Sequence, residues 1–97
     1  MNHEKLKSKA LESPDVRQEY ERLEEEFSLL QQMLAARQRA GLNQAEVAQK
    51  MGTKAPAVTR LESSLSNGKH SPSLVTLRKY AKAVGCKVEI KFVPEAE

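Results

Sequence analysis

Tryptophan is absent, tyrosine and phenylalanine number two each, there is one cysteine, and no apolar run approaches the roughly 18 residues of a membrane span. The lone Cys86 permits no internal disulfide and is expected in a core or an interface, where small thiols usually sit. The two histidines, His3 and His70, stand far apart, which argues against a metal site. Residues 1–9 lack the apolar segment of a signal peptide, so a cytoplasmic location is expected. There is also no glycine-rich phosphate loop, no close set of His, Cys, Asp and Glu, and no Ser or Cys with an evident base. The chemistry on offer is hydrogen bonding and charge; no enzyme activity, cofactor or small-molecule ligand is expected.

Charge, by contrast, is plentiful and segregated. Residues 1–36 hold 5 Lys/Arg against 8 Asp/Glu, residues 37–82 hold 9 against 2, and residues 83–97 hold 2 against 3. A basic middle of this kind is what phosphate binding asks for. At 97 residues there is room for one domain, small enough that association can supply part of its stability.

The basic middle contains two short helical patterns. Asn43 is a good N-cap for a helix opening at Gln44, with Ala45, Val47, Ala48 and Met51 facing inward and Gly52 ending it. Pro56 falls in the first turn of a second helix, where its missing N–H costs little. Val58 and Leu61 point inward there, leaving Lys54, Ala55, Ala57, Thr59 and Arg60 outward or flanking. Two short helices across a glycine turn, the second with a small, polar and cationic face, form the pattern of a DNA-reading helix-turn-helix. Arg60 is then the main base reader, by bidentate donation to guanine, and Ala57 is placed to touch a thymine methyl. Lys54 reaches a base edge or a phosphate, and Gln44 and Thr59 meet phosphate.

Upstream, residues 1–12 carry too few apolar anchors to order themselves, and Ser13-Pro14-Asp15 reads as a helix start. Val16, Tyr20, Leu23, Phe27, Leu30 and Leu34 recur as a heptad seam, so one helix is predicted from 14 to about 40, with a break near 25–28 as the second choice. That seam either packs on the rest of the domain or meets a partner. Leu29, Met33, Ala36 and Ala40 add a second stripe. Downstream, residues 63–72 read as a turn-rich loop. Ser73 caps a helix carrying Leu74, Leu77, Tyr80, Ala81 and Val84 on one face, with Gly85 as its stop. Cys86, Val88, Ile90 and Phe92 alternate with Lys87, Glu89 and Lys91 as a half-buried strand. A single strand needs a partner, so Val88, Ile90 and Phe92 are expected to pair with the same strand of a second copy in a homodimer.

The run from Gly41 to Glu46 followed by Gly52-Thr53 resembles the lambda-repressor-like (XRE) family, which implies an all-α helix-turn-helix bundle, here with a long N-terminal helix and one C-terminal β-strand pairing across a dimer. The resemblance divides the chain into a flexible segment 1–13, a helical extension 14–28, a DNA-binding domain 29–85 and a dimerisation strand and tail 86–97. It implies double-stranded operator DNA as partner, a structural pair between Arg37 and Glu62, and a backbone-tracking loop in which Asn67 and Lys69 take part. Where the family usually has polar readers and a hydroxyl cap, this chain has Ala55, Pro56 and Lys54, so readout leans on Arg60, apolar contacts and DNA shape.

Tyr20-x-x-Leu23-Glu24-Glu25-Glu26-Phe27, Ala36-Arg37, Ala57-Val58-x-Arg60-Leu61-Glu62-Ser63 and Pro72-Ser73-Leu74 are similar to HigA-type antitoxins. These are implied to repress their own operon and to neutralise a RelE-like mRNA endonuclease, with Tyr20, Leu23 and Glu24 on the toxin-facing surface. A solitary regulator of the same fold, and an adaptor that has lost DNA readout, are the alternatives.

Overall fold

The computed structural model describes residues 14–68 and 71–95. These contain four helices: α1 (Pro14–Ala40), α2 (Gln44–Met51), α3 (Ala55–Asn67) and α4 (Leu74–Ala83). Residues 1–13, with the expected Ser13 cap, and the loop residues Lys69 and His70 lie outside the described residues.

Local chemistry explains the boundaries. α1 is unbroken over 27 residues, so the acidic run 24–26 does not interrupt it. Asn43 accepts from the Glu46 amide at 2.8 Å and Glu46 accepts from the Asn43 amide at 2.9 Å, satisfying two donors reciprocally at the start of α2. Gly52 closes α2 at φ 76, while the Thr53 amide donates to the Ala48 carbonyl at 2.8 Å. α3 carries Pro56 in its first turn and has no side-chain cap, Lys54 standing at that position. Ser73 accepts from the Thr76 amide at 3.2 Å to open α4.

The C-terminal half of α1 lies over α3 and α4 and supplies Leu30, Met33 and Ala36 to the core. Val47 and Ala48 come from α2, Val58 and Leu65 from α3, and Tyr80, Ala83 and Val84 from α4 and its end. Val47, Val58, Leu65 and Tyr80 are the largest fully buried side chains, each burying enough to contribute about 1.5–3 kcal/mol. Because α3 turns Val58, Glu62 and Leu65 inward at spacings of four and three, its opposite face is obliged to face solvent.

Several inward expectations are corrected. Ala45, Ala40 and Leu74 are exposed, and Cys86 is not in the core of the single chain. In the heptad seam Tyr20 and Leu30 are buried, but Val16, Leu23 and Phe27 are 48, 38 and 50% exposed. Burial reaches outward along α1 as far as Tyr20, and the buried face through Glu26, Leu30, Met33 and Ala36 is rotated from the one that carries Leu23 and Phe27. The expected strand over Cys86, Val88, Ile90 and Phe92 is not formed: residues 86–95 hold no regular structure, and the described residues contain no strand. A ladder needs a second extended segment, and the described part of the chain supplies none.

Candidate nucleic-acid interface

The outward face of α3 is built by subtraction from its buried face. Arg60 lies two residues, about 200°, from Val58, which is 0% exposed, so it projects almost directly away from the core. Pro56, Thr59 and Ser63 share that side, while Ala55 and Ala57 are half-buried at its edges. Lys54, exposed, stands at the N-terminal end. Asn67 is exposed at the other end of α3, beyond which Lys69 falls outside the described residues.

The charge on this face is not neutralised from within. In residues 37–82 the only acids are Glu46 and Glu62. Glu46 is engaged with the Asn43 amide, and Glu62 is buried on the opposite side of α3. Neither Lys54 nor Arg60 has an ion pair among the described residues. Lys79 of α4 adds a cation at the crevice lined by Gly52, Thr53 and Ala57, beside the start of α3.

Behind this face, Glu62 accepts four hydrogen bonds. Oε2 receives Arg37 Nε at 3.2 Å and Tyr80 Oη at 2.9 Å; Oε1 receives Arg37 Nη2 at 3.4 Å and Gln44 Nε2 at 2.8 Å. The acceptor capacity of a carboxylate is thereby filled, and one side chain on α3 is held by donors from α1, α2 and α4. Burial raises the Tyr80 phenol above its ordinary range, and the bond to Glu62 and that carboxylate's charge raise it further. Arg37 also donates to the Leu42 carbonyl at 3.4 Å, tying the turn after α1 to the same network.

Gln44, expected to reach a phosphate, is also bonded within the fold. Besides donating to Glu62, its Oε1 accepts from Thr59 Oγ1 at 2.8 Å, with the Ala55 carbonyl a second acceptor for that hydroxyl at 3.2 Å. Gln44 and Thr59 thus lock α2 to α3 at the edge of the exposed face, and each Gln44 amide group keeps only part of its bonding capacity for an outside ligand. Tyr80 is expected on an apolar face, and its hydroxyl is a functional group that periodicity does not reveal. The available signal was a tyrosine at a core position, because a buried phenol requires a polar partner.

The other expected residues are spread more widely. Tyr20 is buried and Leu23 and Glu24 are exposed; the three line a groove with Phe27, Leu65 and Asn67, and an adjoining hollow is lined by Glu21, Glu24 and Glu25. Burial raises the Tyr20 phenol, as do the charge of Glu24 and a hydrogen bond to it. Val88 is half-buried, whereas Ile90 and Phe92 are 57 and 97% exposed.

A family model described as helix-turn-helix matches residues 33–90. Comparison with curated proteins and with solved structures finds no match.

The filled carboxylate makes a quantitative expectation. Arg37→Met leaves a buried charge short of its cation and destabilises the fold by about 3 kcal/mol in urea unfolding; combining it with Glu62→Gln recovers part of that loss. A double variant less stable than Arg37→Met alone by the full cost of Glu62→Gln would show the two side chains to be uncoupled.

Proposed function

The chain belongs to the helix-turn-helix family, and from that premise we propose that it is a sequence-specific DNA-binding transcription regulator of the repressor type. The observation that carries this reading is the free cationic face of α3, Lys54 to Arg60, standing on a helix whose other side is fixed by Glu62. α3 enters the major groove with Arg60 donating to a guanine edge, while Lys54, Gln44 and Thr59 lie against the sugar-phosphate chain. Ala55 and Ala57 offer methyl contact, and Asn67 at the end of α3, together with Lys69, contacts the backbone. Readout with so few hydrogen-bonding side chains draws on DNA shape as well.

The regulator acts as a homodimer. Ile90, Phe92 and Val93 are apolar side chains exposed at 57, 97 and 72% in the single chain, and a second copy of the tail satisfies both their burial and their backbone groups. A twofold axis then presents two α3 helices about 34–36 Å apart, one turn of the duplex.

Its finer role is that of the antitoxin of a HigBA-type pair, with a RelE-like mRNA endonuclease as second partner. The groove of Tyr20, Leu23 and Phe27, rimmed by Glu21, Glu24 and Glu25, supports this: it offers apolar contact and a negative field to a basic protein.

Three outcomes are expected. On a duplex selected from a random pool, Arg60→Ala lowers affinity by about 1–3 kcal/mol in a gel shift while binding to unrelated DNA is spared; equal losses on both would remove Arg60 from base reading. Deleting residues 86–97 converts a sedimenting dimer to monomer, and an unchanged dimer would place the interface elsewhere. Co-expressed with a small basic protein encoded beside it, the chain co-purifies with that protein, and Phe27→Glu abolishes the capture; retention at full yield would exclude the groove.

A further inference from the structure

The family match begins at residue 33, so the first two thirds of α1 fall outside it. That part of the helix is opposite in charge to the chain as a whole: residues 14–28 hold 2 Lys/Arg against 6 Asp/Glu, a net −4, in a protein of formal net charge +3. Glu21, Glu24 and Glu25 are exposed there and form no ion pair among the described residues. They line a hollow that adjoins the groove between α1 and the end of α3, and Glu24 lines both.

The groove itself has a volume of about 830 Å³. Tyr20 and Leu65, both buried, form its base, and Leu23 and Phe27 stand 38 and 50% exposed beside them. From Tyr20 to Gln31 its wall follows α1 for three turns, about 16 Å. Arg22 donates to Glu26 Oε2 at 3.0 Å and to the Gly68 carbonyl at 3.3 Å, and Glu26 Oε1 accepts from Ser71 Oγ. Leu23 covers Gly68 so closely that a Cβ there would lie 2.1 Å from its Cδ2. These contacts join α1 to the end of α3, so the walls keep their separation, and a pre-formed groove loses little freedom when it is filled.

We propose that this groove takes an amphipathic helix of a cationic partner protein, with the apolar side chains of that helix seated among Tyr20, Leu23, Phe27 and Leu65 and its Lys or Arg residues against Glu21, Glu24 and Glu25. This rests on the reading that a basic protein is bound here, and deepens it by naming the element that enters and the charges that hold it. The shape selects a helix. Apolar positions three and four apart along the α1 wall meet an entering helix turn by turn, whereas α1 and α3 offer no strand edge to which an extended segment could add. The charge excludes a second copy of the same segment, because −4 would then face −4.

The test is fluorescence anisotropy with three labelled synthetic peptides of about 18 residues, long enough to span the groove as a helix. The first carries Leu at helical spacing with Lys elsewhere, the second has Pro in place of its central Leu, and the third has Glu in place of every Lys. The first binds one to one and gains helical circular dichroism on binding; the second and third bind about tenfold more weakly. Phe27→Glu adds a negative charge and on charge alone would tighten the cationic peptide, so a loss of about tenfold there identifies apolar seating. Glu21→Lys combined with Glu25→Lys, both at exposed positions, reverses the preference toward the anionic peptide. Melting curves confirm that each variant is folded. Equal binding of the Pro peptide, or unchanged binding in Phe27→Glu, overturns the helix in the groove; capture of the neighbouring basic protein by the wild type, with release by Phe27→Glu, then leaves the groove standing as a protein-binding surface. Peptide binding as expected, without capture of the neighbour, supports the helix site and removes the antitoxin reading.

Discussion

One carboxylate, that of Glu62, sets the geometry of the domain. Hydrophobic burial holds four helices together, but burial is non-directional and tolerates sliding or rotation of a short helix. α3 escapes that latitude because Glu62 must be placed where Arg37, Gln44 and Tyr80 converge, and moving it strands a buried charge. The apolar neighbours Val58 and Leu65 lie on the same side of the helix, so packing and hydrogen bonding specify a single rotation. The direction in which Arg60 points is a consequence of that rotation. Whatever α3 reads, it reads with an angle dictated from behind.

What was legible in the sequence was whatever is decided within a turn or two of chain. Asn43, Gly52, Pro56 and Ser73 act on amides three or four residues away, and each sits where its local chemistry predicts. The second stripe of α1 was legible for the same reason, Met33 and Ala36 being true core residues. Failures came where the answer depends on what lies opposite. Ala45 and Leu74 have inward periodicity but are exposed, and Leu23 and Phe27 of the seam lie at the edge of the packed face, which runs through Glu26, Leu30, Met33 and Ala36. Likewise the tail has the alternation of a strand without a second strand to make it one.

The candidate site divides along the same line. Exposure of Lys54 and Arg60 followed from the inward positions of Val58 and its helical neighbours. Pairing of Gln44 with Thr59, fifteen residues away, did not, because a glutamine at a helix start is equally suited to a phosphate and to a neighbouring side chain. Arg22 and Glu26 were hidden more thoroughly: an arginine and glutamate four apart on an acidic helix read as an ordinary surface pair, and only the arrival of Gly68 and Ser71 from across the fold makes them more.

The fit of Leu23 over Gly68 carries a last consequence for how such a chain can be rebuilt. A residue other than glycine at that point has to adopt the left-handed backbone at φ 70 and push the end of the Leu23 side chain aside. A chimera that imports a foreign turn therefore does best when it keeps a glycine where the leading helix passes over it.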